Sequence, residues 1–348
     1  MIESNNFHFI RFLAASLVIV GHVYPLNGLP DVIEQWTVGL FPSGHIAVCV
    51  FFVISGYSVT QSRLNTSTTF SYFMKRALRI FPGLFVALLF AIFVVGPIAT
   101  TFSLSEYFST RQTYFFLDNI KLYPPTHGTL PGVFVHNIHN AVNGSLWTLA
   151  YEFTMYIFVI VAVYLFRSKW QWLLGGFVVF FCVYCAFFQQ LQGSRVLPLL
   201  HLNIFHLLDF GIYFILGMLF YVYRDRLKFN GWGAIIAFVA WMGMYLIADA
   251  GYFPLSTIMW VRYFSLSYLV MYFAFIKGPL NRFGDGGDYS YGLYIYAYPI
   301  QQTIIAFWGK EMPPYQQVLL AFALVLPFAW FSWHFVEKPA LKYKAYFK

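Results

Sequence analysis

The first apolar stretch of the chain, FHFIRFLAASLVIVGHVYP at 7–25, contains two side chains that can do chemistry. Arg11 and His22 lie eleven residues apart, and eleven steps of 100° make about three helical turns. Both side chains therefore fall on one helical face, roughly 16 Å apart along the axis. An arginine at bilayer depth costs about 2.5 to 3.5 kcal/mol. We therefore expect this face to line a polar cavity, in which His22 can exchange protons near neutral pH.

Four later clusters of polar residues also interrupt the apolar background. Ser55 and Gly56 permit a close backbone approach or an irregular turn at membrane depth, and Glu152 lies about two turns inside an apolar span. Arg76 and Arg79 are three residues apart, which places both on one face of a helix. The four clusters are FFVISGYSVTQS at 51–62, KRALRIFP at 75–82, NGSLWTLAYEFTMY at 143–156 and FVEKP at 335–339.

Each cluster also has a purely structural interpretation. Small residues at 55 and 56 are typical of helix packing in membranes, and basic residues at 76 and 79 are typical of cytoplasmic anchors. Arg11 and Glu152 can form a structural ion pair, and Glu337 can belong to a solvated helix end. Asp209 and Arg262, two further charges inside spans, can pair with each other, and the sequence leaves this undecided.

The composition predicts an integral membrane protein that is all-α. Hydrophobic residues make up 60% of the 348 residues and charged residues 10%, against about 25% charged in soluble domains. The net charge of +8 then reflects cytoplasmic anchoring, and no nucleic acid is expected as a partner. We predict a polytopic helical bundle of about ten transmembrane helices, with spans at 7–27, 45–62, 77–99, 146–166, 171–189, 203–223, 231–249, 255–276, 289–308 and 314–336. The second span is short, so it can be broken or half-buried in protein.

The distribution of basic residues predicts the orientation of this bundle. With a cytoplasmic N-terminus, fifteen Lys and Arg residues lie in inside segments and four in outside segments, which favours two cytoplasmic termini. The chain is expected to form a single domain, 1–348, with an outer loop at about 100–145 and a short cytoplasmic tail at about 337–348. Three histidines of this loop match no metal-ligand spacing, so no metal is predicted: His127, His136 and His139.

In this order the clusters resemble the membrane acyltransferase-3 family, integral-membrane O-acyltransferases that modify cell-surface sugars. Arg11 and His22 match its arginine-x10-histidine motif, and NGSLWTLAYEFTMY matches its most recognisable signature through Trp147 and Glu152. The other similar segments are VFFVISGY at 50–57, Arg76 and Arg79 with RIFP at 79–82, YSYGLYIYAYPI at 289–300 and VEKP at 336–339. Two features depart from the family. Tyr296-Ala297-Tyr298 stands where many members carry a histidine beside a tryptophan, and no C-terminal esterase-like domain is evident.

The resemblance implies a reaction and its substrates. The donor would be an acyl-CoA, usually acetyl-CoA from the cytoplasm, and the acceptor a hydroxyl of a surface glycan or lipid-linked oligosaccharide. The protein would lie among the lipids of a bacterial inner membrane. Without an esterase-like domain, it would transfer the acyl group directly or hand it to a partner. The outer loop, which faces the acceptor, would set acceptor specificity.

Residue roles follow from this chemistry. A sugar hydroxyl needs a base, so His22 is the predicted general base, and Glu152 would orient its imidazole. The residues expected to hold the phosphates of acyl-CoA are Arg11, Arg76 and Arg79. Ser55 and Trp147 would support the cavity. The alternative function is a transporter, such as a flippase of a lipid-linked sugar, which also needs a polar intramembrane stripe and broken helices.

Overall fold

Helices occupy all ten predicted spans in the computed structural model of the chain. The structure describes residues 5–37, 41–123, 127–193, 196–198, 200–251, 253, 258–309 and 311–347. We number the long helices α1 Phe7–Leu26, α2 Ser43–Leu64, α3 Thr69–Ala99, α4 Trp147–Phe166, α5 Trp170–Ala186, α6 Ile204–Val222, α7 Gly231–Asp249, α8 Trp260–Phe275, α9 Ser290–Trp308 and α10 Pro314–Tyr346.

Seven of these helices, within the described ranges, are long and apolar enough to cross a membrane: α1 to α4, α6, α7 and α10. Helix α5 is also apolar but has 17 residues, and α8 has 16. About 20 residues are needed to cross the hydrocarbon core without thinning it. The prediction of an all-α, polytopic integral membrane protein is confirmed. The orientation of the termini and the single domain at 1–348 stay predictions.

Three boundaries differ from those predicted. Helix α2 is continuous from Ser43 to Leu64, so a break at its centre is wrong. Helix α3 begins at Thr69, and Arg76 and Arg79 therefore lie inside it. Helix α10 does not end at residue 336. A π-helical turn, Ser332–Glu337, joins it to further helical turns, so residues 338–346, predicted as part of a short tail, are helical.

The chain is organised into two compact units, and α1 to α4 each contribute to both. The first unit comprises Met1–Arg11, Val48–Tyr72 and Tyr151–Asp285. In it, the backbones of α2 and α6 touch. A Cβ on Gly56 would collide with the carbonyl oxygen of Phe214, and a Cβ on Gly217 with that of Val53. Glycine at both positions allows this approach, as the helix-packing interpretation of Gly56 predicts.

The second unit comprises Phe12–Ala47, Phe73–Ala150 and Gly286–Lys348. Side-chain amides connect its helices and its outer loop. Gln301 of α9 donates to the carbonyl of Ile19 in α1 at 2.6 Å, and Gln317 of α10 exchanges hydrogen bonds with Asn27 at 2.8 and 3.2 Å. Gln302 donates to the carbonyls of residues 139 and 141, which end the outer loop. Buried amides are stable only when partnered, so these contacts fix how the loop meets α9.

The predicted outer loop has its own folded structure. Thr100 and Val133 form an isolated β-bridge that closes its first part. Between them, Ser103 caps the short helix Leu104–Ser109 by accepting from the Glu106 amide at 3.2 Å. Tyr107 of this helix is buried and donates to the carbonyl of Ile92 at 3.0 Å. Burial raises the pKa of the Tyr107 phenol above its ordinary value. The loop is therefore attached to α3 rather than extended.

Substitution of Gly56 by alanine is expected to destabilise the protein by about 1 to 3 kcal/mol, because α2 and α6 must separate to admit the methyl group. The measurement is the thermal unfolding midpoint of detergent-solubilised protein. Gly175→Ala is the matched control, since no atom outside its own helix backbone and its two chain neighbours lies within 4 Å of a Cβ there. Alanine is also the better helix former, so this control should not lower the midpoint. Equal loss in both variants would contradict the close approach.

Candidate functional site

His22 lies in the second unit, on α1, with an aromatic side chain against its ring. The phenol of Tyr298 on α9 meets the imidazole edge to face, with ring centroids 5.2 Å apart and planes at 78°. Beside the other ring nitrogen is Gly44, near the start of α2, where a Cβ would lie 3.9 Å from Nε2 of His22. A glycine at this position leaves space next to Nε2. Nδ1 is buried, and no residue of the described ranges hydrogen-bonds to it.

The signature segment NGSLW holds Tyr298 in this position. The amide of Asn143 donates to the carbonyl of Ile295 on α9 at 2.8 Å. A Cβ on Gly144 would stand 2.6 Å from Cζ of Tyr298, so the segment lies directly against the phenol ring. Trp147 begins α4 and is 38% exposed. The motif thus supplies packing for the residue that contacts His22. Tyr298 was identified from the sequence only as a departure from the family pattern.

A carboxylate that sequence analysis missed lies close to this histidine. Asp31 is 1% exposed and caps the short helix Val32–Trp36 through Oδ1, which accepts from the amides of Ile33 and Glu34. Its Oδ2 accepts from both the amide and the hydroxyl of Ser43. An acidic residue followed by a helical segment signals a cap, but its burial beside α1 was not readable from the sequence.

Arg79 is the centre of a second cluster in the same unit. Its Nη2 lies 2.6 Å from Oδ2 of Asp288, and its Nη1 lies 3.4 Å from Oε2 of Glu337. The Tyr291 ring flanks the guanidinium at 5.8 Å, and its hydroxyl donates to the carbonyl of Ile80 at 2.9 Å. Three helices therefore meet at one cation. Glu337 is only 2% exposed, so the interpretation of this residue as part of a solvated helix end is wrong.

The π-helical turn of α10 explains how Glu337 reaches this cluster. Ser332 donates to Oε1 of Glu337 at 2.9 Å, although the two residues are five positions apart. At 100° per residue an α-helix separates such residues by about 140°, whereas the i→i+5 bonds of a π-helix bring them to one face. The wider turn thus directs the carboxylate inward, where Ser332 and Arg79 hold it.

The first unit contains Arg11, Ser55 and Glu152, whereas Arg76 lies on α3 in the second unit. Oε1 of Glu152 accepts from the hydroxyl of Ser55 at 3.0 Å and from that of Tyr156 at 2.5 Å. Tyr156 lies one turn after Glu152 on α4, so the helix itself places this donor. An Nη2 of Arg11 lies 3.4 Å from the hydroxyl of Ser58, which is three residues after Ser55 on α2. Ser55 and Glu152 are therefore brought together, and α2 also provides a hydrogen-bond partner, Ser58, for Arg11.

The undecided question of Asp209 and Arg262 is answered in this unit. Asp209 on α6 and Arg262 on α8 form a direct ion pair, with exposures of 0% and 2%. The hydroxyl of Tyr263 donates to the same carboxylate oxygen at 2.5 Å, and that of Tyr184 lies 3.4 Å from it. A buried pair of this kind is tolerated because each charge faces its opposite and phenol groups supply further hydrogen bonds.

Comparison with known proteins identifies relatives over nearly the entire chain. A family model described as an acyltransferase domain matches residues 4–334. The chain is 33% identical to an O-acetyl transferase of Shigella phage Sf6, over 97% of this chain and 96% of that protein. It is 28% identical to nodulation protein 10 of Rhizobium leguminosarum bv. viciae, over 97% and 93% respectively. No solved structure matches the chain significantly.

Proposed function

Since the chain belongs to the acyltransferase-3 family and is an acyl-transferring membrane enzyme, we propose that it O-acetylates a sugar hydroxyl. The donor is acetyl-CoA from the cytoplasm, and the acceptor is a surface polysaccharide or a lipid-linked oligosaccharide. The relative from phage Sf6, similar over its whole length and named an O-acetyl transferase, supports the acetyl group and the oxygen acceptor. The membrane is the bacterial inner membrane. The transporter alternative has no support from these relatives.

The proposed reaction uses His22 as the general base. Nε2 takes the proton of the sugar hydroxyl as its oxygen attacks the thioester carbonyl, and the carbon–sulfur bond breaks to release CoA. The imidazolium then returns the proton to the thiolate of CoA, so a sugar ester and free CoA are formed. The observation that carries this proposal is the space beside Nε2, which the glycine at 44 leaves open. Histidine is suited to this role because its reference pKa lies near the working pH.

Donor binding is proposed for the arginines of α3, with Arg11 as a further phosphate ligand. A guanidinium offers forked, charge-assisted hydrogen bonds to phosphate. Arg79 faces two carboxylates, so we assign it also to holding α3, α9 and α10. Glu152, oriented by Ser55 and Tyr156, keeps its proposed catalytic role in the first unit, where Ser55 supports it directly. Trp147 supports the cavity.

Substitution of Arg76 by alanine is expected to raise KM for acetyl-CoA about ten- to hundredfold, because a charge-assisted hydrogen bond is worth about 1.5 to 3 kcal/mol. The amount of folded protein should not change. Arg79→Ala should instead lower the amount of folded protein, because Asp288 and Glu337 lose their counter-charge. Lys75→Ala, which removes the same charge from the preceding position, is the control for general electrostatics. An unchanged KM in Arg76→Ala would remove this residue from donor binding.

The experiment that tests the function uses membranes containing the protein and acetyl-CoA with a labelled acetyl group. Label should appear as base-labile ester on surface glycan or on its lipid-linked precursor. If well-expressed protein and the native glycan yield no label, acetyl-CoA is not the donor, and other acyl-CoAs are tested next. Failure of all acyl-CoAs would overturn the proposal for this acceptor class.

A further inference from the structure

We propose that Asp31 is a positioning residue for His22, whose protonated imidazole it stabilises during transfer through its negative charge. This inference rests on the proposed role of His22 as general base. The orienting role proposed for Glu152 is separate and is unchanged by this inference. Asp31 and His22 both belong to the second unit.

The geometry around Gly21 places the Asp31 carboxylate beside α1. Gly21 directly precedes His22, and a Cβ on it would lie 3.0 Å from Oδ2 of Asp31 and would collide with the hydroxyl of Ser43. The absence of a side chain at 21 therefore lets the Asp31–Ser43 pair pack against the helix backbone. The residue after Ser43 is Gly44, which borders Nε2 of His22. The carboxylate, its partner Ser43 and the glycine beside Nε2 therefore all lie along the part of α1 that carries His22.

The carboxylate acts on His22 through space rather than through a hydrogen bond. Asp31 is the carboxylate that lies against α1 at the residue before His22, and a negative charge beside an imidazole favours its protonated form. The other titratable group facing the ring is the phenol of Tyr298, which is neutral near pH 7. A buried charge that is fixed by several donors keeps its strength because water does not screen it. Asp31 accepts four hydrogen bonds, from Ile33, Glu34 and Ser43.

Helix capping alone does not require this arrangement. The short helix Val32–Trp36 needs one acceptor at its N-terminus, which Oδ1 supplies. Asparagine and serine cap as well as aspartate, and an exposed cap would satisfy the same amides. Oδ2 is instead buried against α1 with Ser43. A substitution that removes the charge of Asp31 but keeps its capping oxygen therefore separates the positioning role from the structural role.

The test compares the pH dependence of acetyl transfer in Asp31→Asn with that of the wild type. The negative charge stabilises the imidazolium, so its loss makes His22 lose its proton at lower pH. We expect the acid limb of the pH–rate profile to move down by about one pH unit, and the plateau rate to fall about tenfold. Glu34→Gln removes a charge from the same short helix without adjoining His22, and it should leave the acid limb unchanged. Ser43→Ala retains the Asp31 charge and should also leave the acid limb in place.

A second measurement does not depend on activity. Histidine labelled with ¹⁵N reports the ionisation of His22 by NMR in detergent micelles, with His22→Gln used to assign the signal. A lower titration midpoint in Asp31→Asn supports the inference even if the acetyl donor is wrong, and an unchanged midpoint overturns it. If Asp31→Asn does not fold, Asp31→Ser, which keeps a capping oxygen, provides the same comparison. Absence of transfer by the wild type, with a shifted midpoint in the variant, would instead count against the proposed function.

Discussion

Replacement of His22 by alanine is expected to lower acetyl transfer about 10²- to 10⁴-fold, the usual contribution of a positioned general base. The wild-type rate should fall as pH decreases through the imidazole pKa, because the protonated ring cannot accept the acceptor's proton. In His22→Ala the rate should be low at every pH, and this fall at low pH should be absent. The measurement is initial transfer of labelled acetyl groups over a pH series that extends from 8 to well below 5, normalised to folded protein in the membrane.

Two comparisons make this result specific to the base. His8→Ala removes an exposed histidine from the first turn of the same helix and should leave transfer nearly unchanged. Tyr298→Phe retains the ring that contacts His22 and removes only its hydroxyl. The transfer rate should therefore change little, because the ring contact with His22 is kept. Added imidazole should partly restore His22→Ala, because Gly44 leaves space beside Nε2. A loss below threefold in His22→Ala would exclude His22 as the base.

The second large effect is expected at the buried ion pair of the first unit. Arg262→Met leaves the Asp209 carboxylate buried without its counter-charge, which should cost about 3 to 5 kcal/mol of stability. Asp209→Leu should be similarly harmful because Arg262 then loses its carboxylate. The double variant should regain most of the loss, since an apolar pair of similar volume avoids the desolvation penalty altogether.

This stability is measured by denaturing the protein in mixed micelles and quantifying the fraction that remains monodisperse. The phenols of Tyr263 and Tyr184 allow a control, because Tyr184→Phe removes a hydrogen bond of 3.4 Å to Asp209 and one of 2.9 Å to Tyr263 but leaves the ion pair intact. Its effect should be about 1 to 2 kcal/mol, less than that of breaking the ion pair. If the double variant is as unstable as the two single variants, the pair is needed for more than charge compensation.

Hydrophobic length was sufficient to predict where the helices lie. The ten helices occur because apolar runs of this length have few other stable structures in a membrane. Of the two alternatives for the short second span, a break does not occur, because Ser55 and Gly56 are accommodated within a regular helix, and most of α2 is buried in protein. Their small side chains serve the contact with α6 and the hydrogen bond to Glu152. The sequence indicates that small residues stand at 55 and 56, but it does not show which neighbouring helix packs against them.

The candidate site was predictable only in part. Motif spacing identified His22 and Arg79, whereas their partners come from distant positions with ordinary local sequence. Asp288 is 209 residues from Arg79, and the aspartate at 31 resembles any helix cap. Periodicity describes one helix at a time, so it does not report which side chain of another segment faces a given residue. The burial of Glu337 was not predicted because its orientation depends on a non-α turn.

That turn also changes how insertions and deletions affect this part of the chain. A π-turn contains one residue more than regular α-helical hydrogen bonding needs. Loss of one residue between Ser332 and Glu337 would restore an unbroken α-helix in which the two residues are four positions apart, about 40° around the axis, so the carboxylate would still face Arg79. In a regular stretch of a transmembrane helix, the same deletion would rotate all later positions by about 100°. The extra residue of the π-turn therefore absorbs a deletion, and this part of α10 is expected to tolerate one better than a regular stretch does.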